Sequence, residues 1–411
     1  MRVLILSQYY KPEPVPKPGE LAEELRRCGH DVTVLTGLPN YPTGRLYPGT
    51  SLRLLRREEI DGIRVTRTFE LPYHGRRVIG RCLNYGSFMA SAILGGVLGP
   101  RPDAIYVWHP PLTVGIAAAV IARVRRVPFV YDVQDIWPEA AVISGTLKEG
   151  WLVRLISRVE RLVYREADHI LVVTSGAREN LMAKGVPSEK LSVMPHWVDD
   201  ELFREPEAGA RNRIREKYGW GDRWIVLFAG NIGFLQGLDT VIEAAGQFPS
   251  DGRILIALVG DGADKERLQS LVSERRLDNV VQFIGRQPME SMPAFMAAAD
   301  VLLVHLKRSG FSRSAIPTKT LAYLAAGRPI LMAMEGAAAE LIGAAGAGLV
   351  IEPENATAIV DAVQRFCRML TEERNAFGRR GREYLVKHLS RTKVISDYES
   401  TLMRIARSGR R

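Results

Sequence analysis

Two tandem α/β domains, each a mostly parallel sheet with helices on both faces, are what this sequence predicts, and three observations predict them. Apolar, β-branched runs alternate with segments of helical period along nearly all of the 411 residues. The alternation pauses once, over residues 196–222, where Asp199-Asp200, Pro206 and Gly209 replace any sustained apolar period. It then begins afresh with WIVLFAGNIGFLQGLDTVIEAA at 224–245, which reads as strand, tight glycine turn and helix. Domains are therefore expected at 1–195 and 196–388, each long enough to bury its own core.

The first series opens with the strand RVLILS, followed by the helix GELAEELRRCGH and the strand DVTVLTG. IRVTRTFEL is a further strand after a basic connection, and a helix over about 78–97 leads to the strand DAIYVWH. PLTVGIAAAVIARVRR is a helix and PFVYDVQD a strand; a helix over about 151–165, the strand HILVVT, the helix ARENLMAKG and the strand LSVMP complete the domain. In the second series RILIALVG, VVQFIG, ADVLLVHL, RPILMAM and GLVIEP are strands, and residues 355–407 are long, charged helices. Ligands of open α/β sheets sit beyond the carboxyl ends of the strands, so two Rossmann-like domains facing a cleft would keep their chemistry in those loops.

Composition narrows the partners. With 46% hydrophobic and 25% charged residues there is no room for a long disordered tract. The net charge of +10 favours an anionic partner, for which nucleotide, nucleic acid and anionic membrane all qualify. Cys28, Cys82 and Cys367 have neither metal-ligand nor CxxC spacing and read as reduced thiols. MRVLILS enters a strand directly, so no signal peptide is expected. The longest apolar stretch, 83–98, is broken by Asn84 and glycines and is short for a membrane span.

The turn Gly230-Asn231-Ile232-Gly233 carries backbone N–H groups and a helix start to one point, which suits a phosphate. Gly260-Asp261-Gly262 ends the next strand in the same way. Either turn alone also serves simply to pack a helix on a sheet.

Taken in order, ILSQYYKPEPVPKP, GHDVTVLTGLPNYPTG, YVWHPPLTVG, YDVQDIWPEA, MPHWVDDELF, AGNIGFLQGL, LVGDG and PTKTLAYLAAGRPIL cover essentially the whole chain. Together they resemble the GT-B glycosyltransferases, within them the family 4 retaining enzymes, and specifically the branch similar to the L-fucosamine transferases of surface-polysaccharide assembly. The resemblance implies that a last helix, about 389–411, crosses back to the first domain. It implies a nucleoside diphosphate sugar as donor, UDP first among the bases, with no cofactor and no metal. The D-x-x-D spacing of Asp132 and Asp135 is not the D-x-D by which another transferase class holds a divalent ion.

The resemblance assigns roles to residues. His109, at a strand end that two prolines terminate, would hold the transferred sugar and acceptor by one hydrogen bond, or else pack on Trp108 or Pro110. Asp132, Asp135 and Glu139 fall in the next loop, where carboxylates orient sugar hydroxyls; Asp132 equally suits a turn cap. The donor would lie on Gly230, Asn231, Gly233, Gln236, Gly260 and Gly262, with His305, Lys307 and Lys319 from the segment LVHLKRSGFSRSAIPTKT and Lys17 from PEPVPKP.

Three departures from the family pattern stand out. Family 4 members commonly place an Arg and a Lys in the loop that here reads Asn231 to Gly237, and neither is present. Developing charge on a diphosphate leaving group needs pre-placed donors, so Lys319 and then Lys307 are the expected substitutes, with Arg308, Arg313 and Lys17 behind them. Prolines around residues 12–18 replace a Gly-rich turn, and the paired glutamates of E-x7-E read Ser314 and Ala322.

The function expected is retaining transfer of an N-acetylated amino-deoxysugar to a lipid-diphosphate-linked sugar, in O-antigen or capsule assembly. Two alternatives remain: a UDP-sugar 2-epimerase, and a non-catalytic nucleotide-sugar-binding protein. A lipid-linked acceptor implies a cytoplasmic protein peripheral at the inner membrane, with no nucleic-acid partner. Arg53, Arg56, Arg57, Arg64, Arg67, Arg76, Arg77 and Arg81 border an apolar helix and are expected to meet anionic lipid.

Overall fold

The computed structural model describes residues 1–409 except 76, 140–141, 143–149, 200–201, 204–206 and 250. It divides into two units, Met1–Met194 with Ile395–Arg411, and Pro195–Val394.

The first unit is built on eight strands: β1 (Arg2–Leu6), β2 (Asp31–Thr36), β3 (Leu55–Ile60), β4 (Ile63–Thr68), β5 (Ala104–Trp108), β6 (Phe129–Val133), β7 (His169–Val172) and β8 (Leu191–Val193). Their order is β3-β4-β2-β1-β5-β6-β7-β8, parallel except for the antiparallel β3–β4 pair. β5 and β6 are buried along their whole length, as strands covered on both faces must be. That is why they read as continuous apolar runs. The strand order reverses between β1 and β5, so the crevice for a ligand lies where the loops after these two strands begin.

Helices α1 (Pro16–Arg27), α2 (Val78–Leu98), α3 (Leu112–Arg125), α4 (Trp151–Glu166) and α5 (Ser175–Ala183) belong to this unit. On one side of the sheet α2 packs on α3 and α3 on α4, and Phe88, Ile121 and Val163 meet in one apolar core. α1 starts three residues before its predicted glycine, with Pro16 at its first turn, where a missing N–H costs nothing. Lys17 is thus helical rather than part of a loop, and pairs with Glu20 at 3.6 Å.

The basic connection is a strand as well. β3 reads LRREEI with alternating exposure, and such a polar edge strand carries no apolar run to announce it. Its hairpin with β4 also rearranges the expected basic patch. Arg67 is buried on Glu58 at 2.5 Å, Arg56 meets Glu58 at 3.0 Å, and Arg64 pairs with Asp31. These three are therefore not free cations for lipid, and Arg76 lies outside the described residues.

The second unit carries six parallel strands: β9 (Trp224–Ala229), β10 (Ile254–Val259), β11 (Val281–Ile284), β12 (Val301–His305), β13 (Ile330–Ala333) and β14 (Gly348–Ile351), in the order β11-β10-β9-β12-β13-β14. Its helices are α6 (Ala210–Lys217), α7 (Leu238–Ala245), α8 (Lys265–Glu274), α9 (Met292–Ala298), α10 (Gly310–Ser314), α11 (Thr318–Ala325), α12 (Ala337–Ala345), α13 (Ala356–Arg368) and α14 (Thr371–His388). Here the order reverses between β9 and β12, which sets the crevice beside the loops after Ala229 and His305.

The last helix, α15 (Arg391–Ser408), belongs to the first unit from Ile395 onward. There its Tyr398 hydroxyl donates to Asp132 at 2.9 Å and its Glu399 meets His30 Nε2 at 2.8 Å.

Candidate active site

The crevice of the second sheet is built from backbone outward. β9 delivers the chain to Gly230, whose φ of +143° lies in territory that side chains rarely occupy. The turn is held by its neighbour: Gly230 N donates to Val259 O at 2.9 Å and Ile232 N to Asp261 O at 2.8 Å. Gly260 and Gly262 back this turn rather than face a ligand. A Cβ on Gly260 would stand 1.9 Å from Gly230 O, and one on Gly262 2.2 Å from Ile232 O. Both glycines are close-approach residues, which corrects their assignment to donor contact.

A short 3₁₀ turn, Phe234–Gln236, uses the N–H groups of Gln236 and Gly237 on the carbonyls of Gly233 and Phe234. The N–H groups of Asn231 and Gly233 donate to no backbone carbonyl among the described residues. They are the donors this loop can offer an anion.

Lys319 reaches the same loop from the first turn of α11. Its Nζ donates to Gln236 Oε1 at 2.8 Å and lies 3.7 Å from the centre of the Phe228 ring. An ammonium only donates, so it fixes the Gln236 amide with oxygen inward and leaves the Nε2 hydrogens for another acceptor. A Cβ on Gly230 would come 3.1 Å from Nζ, so this glycine also makes room for the lysine. Lys319 keeps partial exposure as a residue, yet desolvation of its ammonium outweighs the Phe228 contact and pushes its pKa down to about 7.

His305, at the end of β12, has a different task from the one expected. Its Nδ1 lies 2.7 Å from Gln236 O, and its Nε2 accepts from Glu354 N at 3.2 Å. A carbonyl can only accept, so Nδ1 carries the proton and the ring is neutral, in keeping with a pKa lowered by burial. Both nitrogens are spent on holding the loop, not a ligand. Gly237, at φ +60°, is needed there, since a Cβ would sit 2.7 Å from His305 Cε1. Lys307 meets Asp239 at 3.4 Å, so its charge is shared. The structure thus brings Gly230, Asn231, Gly233, Gln236 and Lys319 together, sets His305, Gly260 and Gly262 behind them, and places Lys17 in the other unit.

Phe228 and Tyr323 were missed by sequence reasoning. The Tyr323 hydroxyl accepts from Ala229 N at 2.8 Å and fixes the end of β9 from α11. Its signal was present in LAYLAAG, where an aromatic polar residue interrupts a small, apolar helix face.

In the first unit His109 follows β5 and its N–H donates to Asp132 O at 3.1 Å. The ring is buried edge-on to Tyr131, with centroids 5.6 Å apart. Burial pushes its pKa down to about 3, and its Nδ1 has no partner among the described residues. A neutral imidazole with one buried, unpartnered nitrogen results.

The carboxylates read as a loop set behave separately. Asp132 lies inside β6, fully buried, and accepts from Tyr106 at 2.5 Å, Tyr398 at 2.9 Å and Gln134 at 2.7 Å. It joins β5, β6 and α15, and neither caps a turn nor faces a sugar. Burial raises its pKa to about 7. Asp135 is likewise raised by burial. Glu139 pairs at 2.9 Å with Lys184, which also meets the buried Glu160 at 2.9 Å, and so belongs to an ion-pair cluster.

Comparison with known proteins agrees with this architecture. Residues 17–197 match the family model of the glycosyl transferase 4-like domain, and residues 210–384 that of the glycosyl transferases group 1. WcaI of Escherichia coli K12, named as a colanic acid biosynthesis glycosyl transferase, is 27% identical over 97% of this chain and 98% of its own length. A GDP-mannose-dependent alpha-(1-6)-phosphatidylinositol monomannoside mannosyltransferase of Mycobacterium tuberculosis is 27% identical over 68% of this chain and 78% of that protein. Among solved structures, Anabaena HepE in complex with UDP superposes with a TM-score of 0.73 at 17% identity, covering 98% of this chain and 100% of that one. These matches set aside the non-catalytic reading, and the chain is a glycosyltransferase of the GT-B fold, formed by a glycosyl transferase 4-like domain and a group 1 domain.

Proposed function

We propose that the protein transfers a sugar from UDP, with retention of anomeric configuration, to a lipid-diphosphate-linked sugar during surface-polysaccharide assembly. The sugar is an N-acetylated amino-deoxysugar of the L-fucosamine kind, as the sequence resemblance implies, and the product serves O-antigen or capsule. The observation that carries the reading is the Lys319 ammonium 2.8 Å from Gln236 Oε1, at a loop whose Asn231 and Gly233 N–H groups are open. UDP bound to HepE and the phosphatidylinositol-based acceptor of the mycobacterial relative's name support donor and acceptor class.

In the reaction the bond from the anomeric carbon to the diphosphate breaks and an acceptor hydroxyl bonds to the same face. The departing diphosphate takes the hydroxyl proton, so the protein supplies position and charge stabilisation rather than a general base. Lys319, the Gln236 amide and the two backbone N–H groups receive the growing negative charge. His109 orients the transferred sugar from the end of β5. No metal is required, and activity should persist in EDTA. A lipid-linked acceptor places the work in the cytoplasm at the inner membrane. Among the described residues, no helix is long and apolar enough to cross a membrane.

A panel of UDP-, GDP- and dTDP-sugars assayed against lipid-diphosphate sugars tests the reading. Transfer from a UDP-linked amino-deoxysugar, with the donor's anomeric configuration kept in the product, is expected. Isomerised sugar nucleotide without acceptor would favour the epimerase instead.

A further inference from the structure

The helix α4 exposes a face that the fold leaves unpartnered. At 3.6 residues per turn, Trp151, Leu155 and Leu162 fall on one narrow stripe, and they are 71%, 47% and 48% exposed. Arg154, Arg158, Arg161 and Arg165 form a second exposed stripe directly beside it. The two stripes together occupy about one third of the helix circumference. The opposite arc buries Val163 and Tyr164 in the core of the first unit.

No carboxylate among the described residues pairs with these four arginines. The helix has two acids of its own and both are turned elsewhere: Glu160 is buried on Lys184, and Glu166 faces Arg123 at 3.9 Å. The face therefore joins a row of unopposed positive charge to a row of exposed apolar side chains led by a tryptophan.

We propose that this face of α4 docks on an anionic lipid surface, with Trp151, Leu155 and Leu162 entering the headgroup boundary and the four arginines meeting lipid phosphates. The pattern is that of an interfacial helix, in which apolar area and basic charge act together. An unpaired arginine near such a surface is drawn to it, whereas a paired one has already spent its charge. That distinction removes Arg56, Arg64 and Arg67 of the β3–β4 hairpin from such a contact, because they are paired, and the proposal places the contact on α4. The inference deepens the proposed function, since it rests on the reading that the acceptor is lipid-linked.

The test is flotation of the full chain with phosphatidylcholine vesicles, with and without phosphatidylglycerol, in the absence of donor and acceptor. Wild type should bind only the anionic vesicles and release with salt. Arg158→Glu with Arg165→Glu should lower binding at least about ten-fold, while Arg53→Gln with Arg57→Gln on the hairpin segment leaves it unchanged. Brominated lipid should quench wild-type fluorescence more than that of Trp151→Phe. The helix variant should still glycosylate a short-chain, water-soluble acceptor at the wild-type rate. Full binding by the helix variant, equal binding to neutral vesicles, loss in the hairpin variant alone, or identical quenching without Trp151 overturns the proposal, as does an equal fall in transfer to the soluble acceptor. Because vesicle binding is read without substrates, its failure is separate from failure of the transferase reading.

Discussion

Lys319 Nζ donates to Gln236 Oε1 at 2.8 Å, at a loop whose own residues from Asn231 to Gly237 include no cation. The lysine comes from α11 rather than from the loop itself, and Gly230, Phe228 and Gln236 surround it. A cation absent from the loop's own sequence is thus brought to it from 83 residues away. The cost is a partly desolvated ammonium, visible in its depressed pKa.

That depression predicts proton uptake on nucleotide binding. With a pKa near 7, much of the free protein holds Lys319 neutral at pH 8, and an arriving diphosphate favours the ammonium. UDP titrations at pH 8 in buffers of different ionisation enthalpy should show uptake of a fraction of a proton, with affinity falling as pH rises above 7. Lys319→Arg stays charged throughout and should abolish the uptake. Equal uptake in that variant would remove Lys319 from diphosphate binding.

His109 separates turnover from nucleotide affinity. It lies in the first unit, while the diphosphate loop is in the second. His109→Ala should lose at least about ten-fold in kcat, or about 1.4 kcal/mol, and keep its affinity for UDP. Its pKa near 3 means that the imidazole adds no acid limb to the pH–rate profile near pH 6.5. An equal loss of kcat and UDP affinity would assign this histidine to the nucleotide.

Asp132 makes a prediction about stability rather than rate. Its folded pKa, about 7, is above the unfolded value of about 3.9, so the folded state holds the proton more tightly. The associated stability is fully present below about pH 4 and is lost as pH rises through 7. Melting temperatures of wild type relative to Asp132→Asn should therefore fall between pH 4 and 7. Tyr398→Phe, which loses one buried hydrogen bond, should cost about 1 kcal/mol. A pH-independent difference between wild type and Asp132→Asn would mean that this carboxyl does not titrate as its burial implies.

Most of the scaffold was legible in the sequence because strands covered on both faces read as unbroken apolar runs, as in AIYVW and WIVLFA. β3 was not, since an edge strand whose centre is two arginines followed by two glutamates has no apolar signal. The glycine turn after β9 was legible in place. What occupies its floor was not: Gln236 and Lys319 are 83 residues apart, and Asp132 and Tyr398 are 266 apart. Long-range pairing also explains why Asp132, Glu139 and His305 read as ligand-facing. Each has a polar side chain near a strand end, and only the fold shows that Tyr106, Lys184 and Gln236 already claim them.

The most direct measurement is the steady-state and single-turnover rate of Lys319→Ala against wild type, with Lys307→Ala as the paired control and thermal melting to confirm folding. If Lys319 supplies the charge that the loop lacks, its removal lowers the chemical step at least about ten-fold, or about 1.4 kcal/mol. Lys319→Arg should recover part of that rate, and Lys307→Ala, already shared with Asp239, should lose less. A wild-type rate in a folded Lys319→Ala protein would contradict the account and leave the leaving group to backbone N–H donors or to another cation.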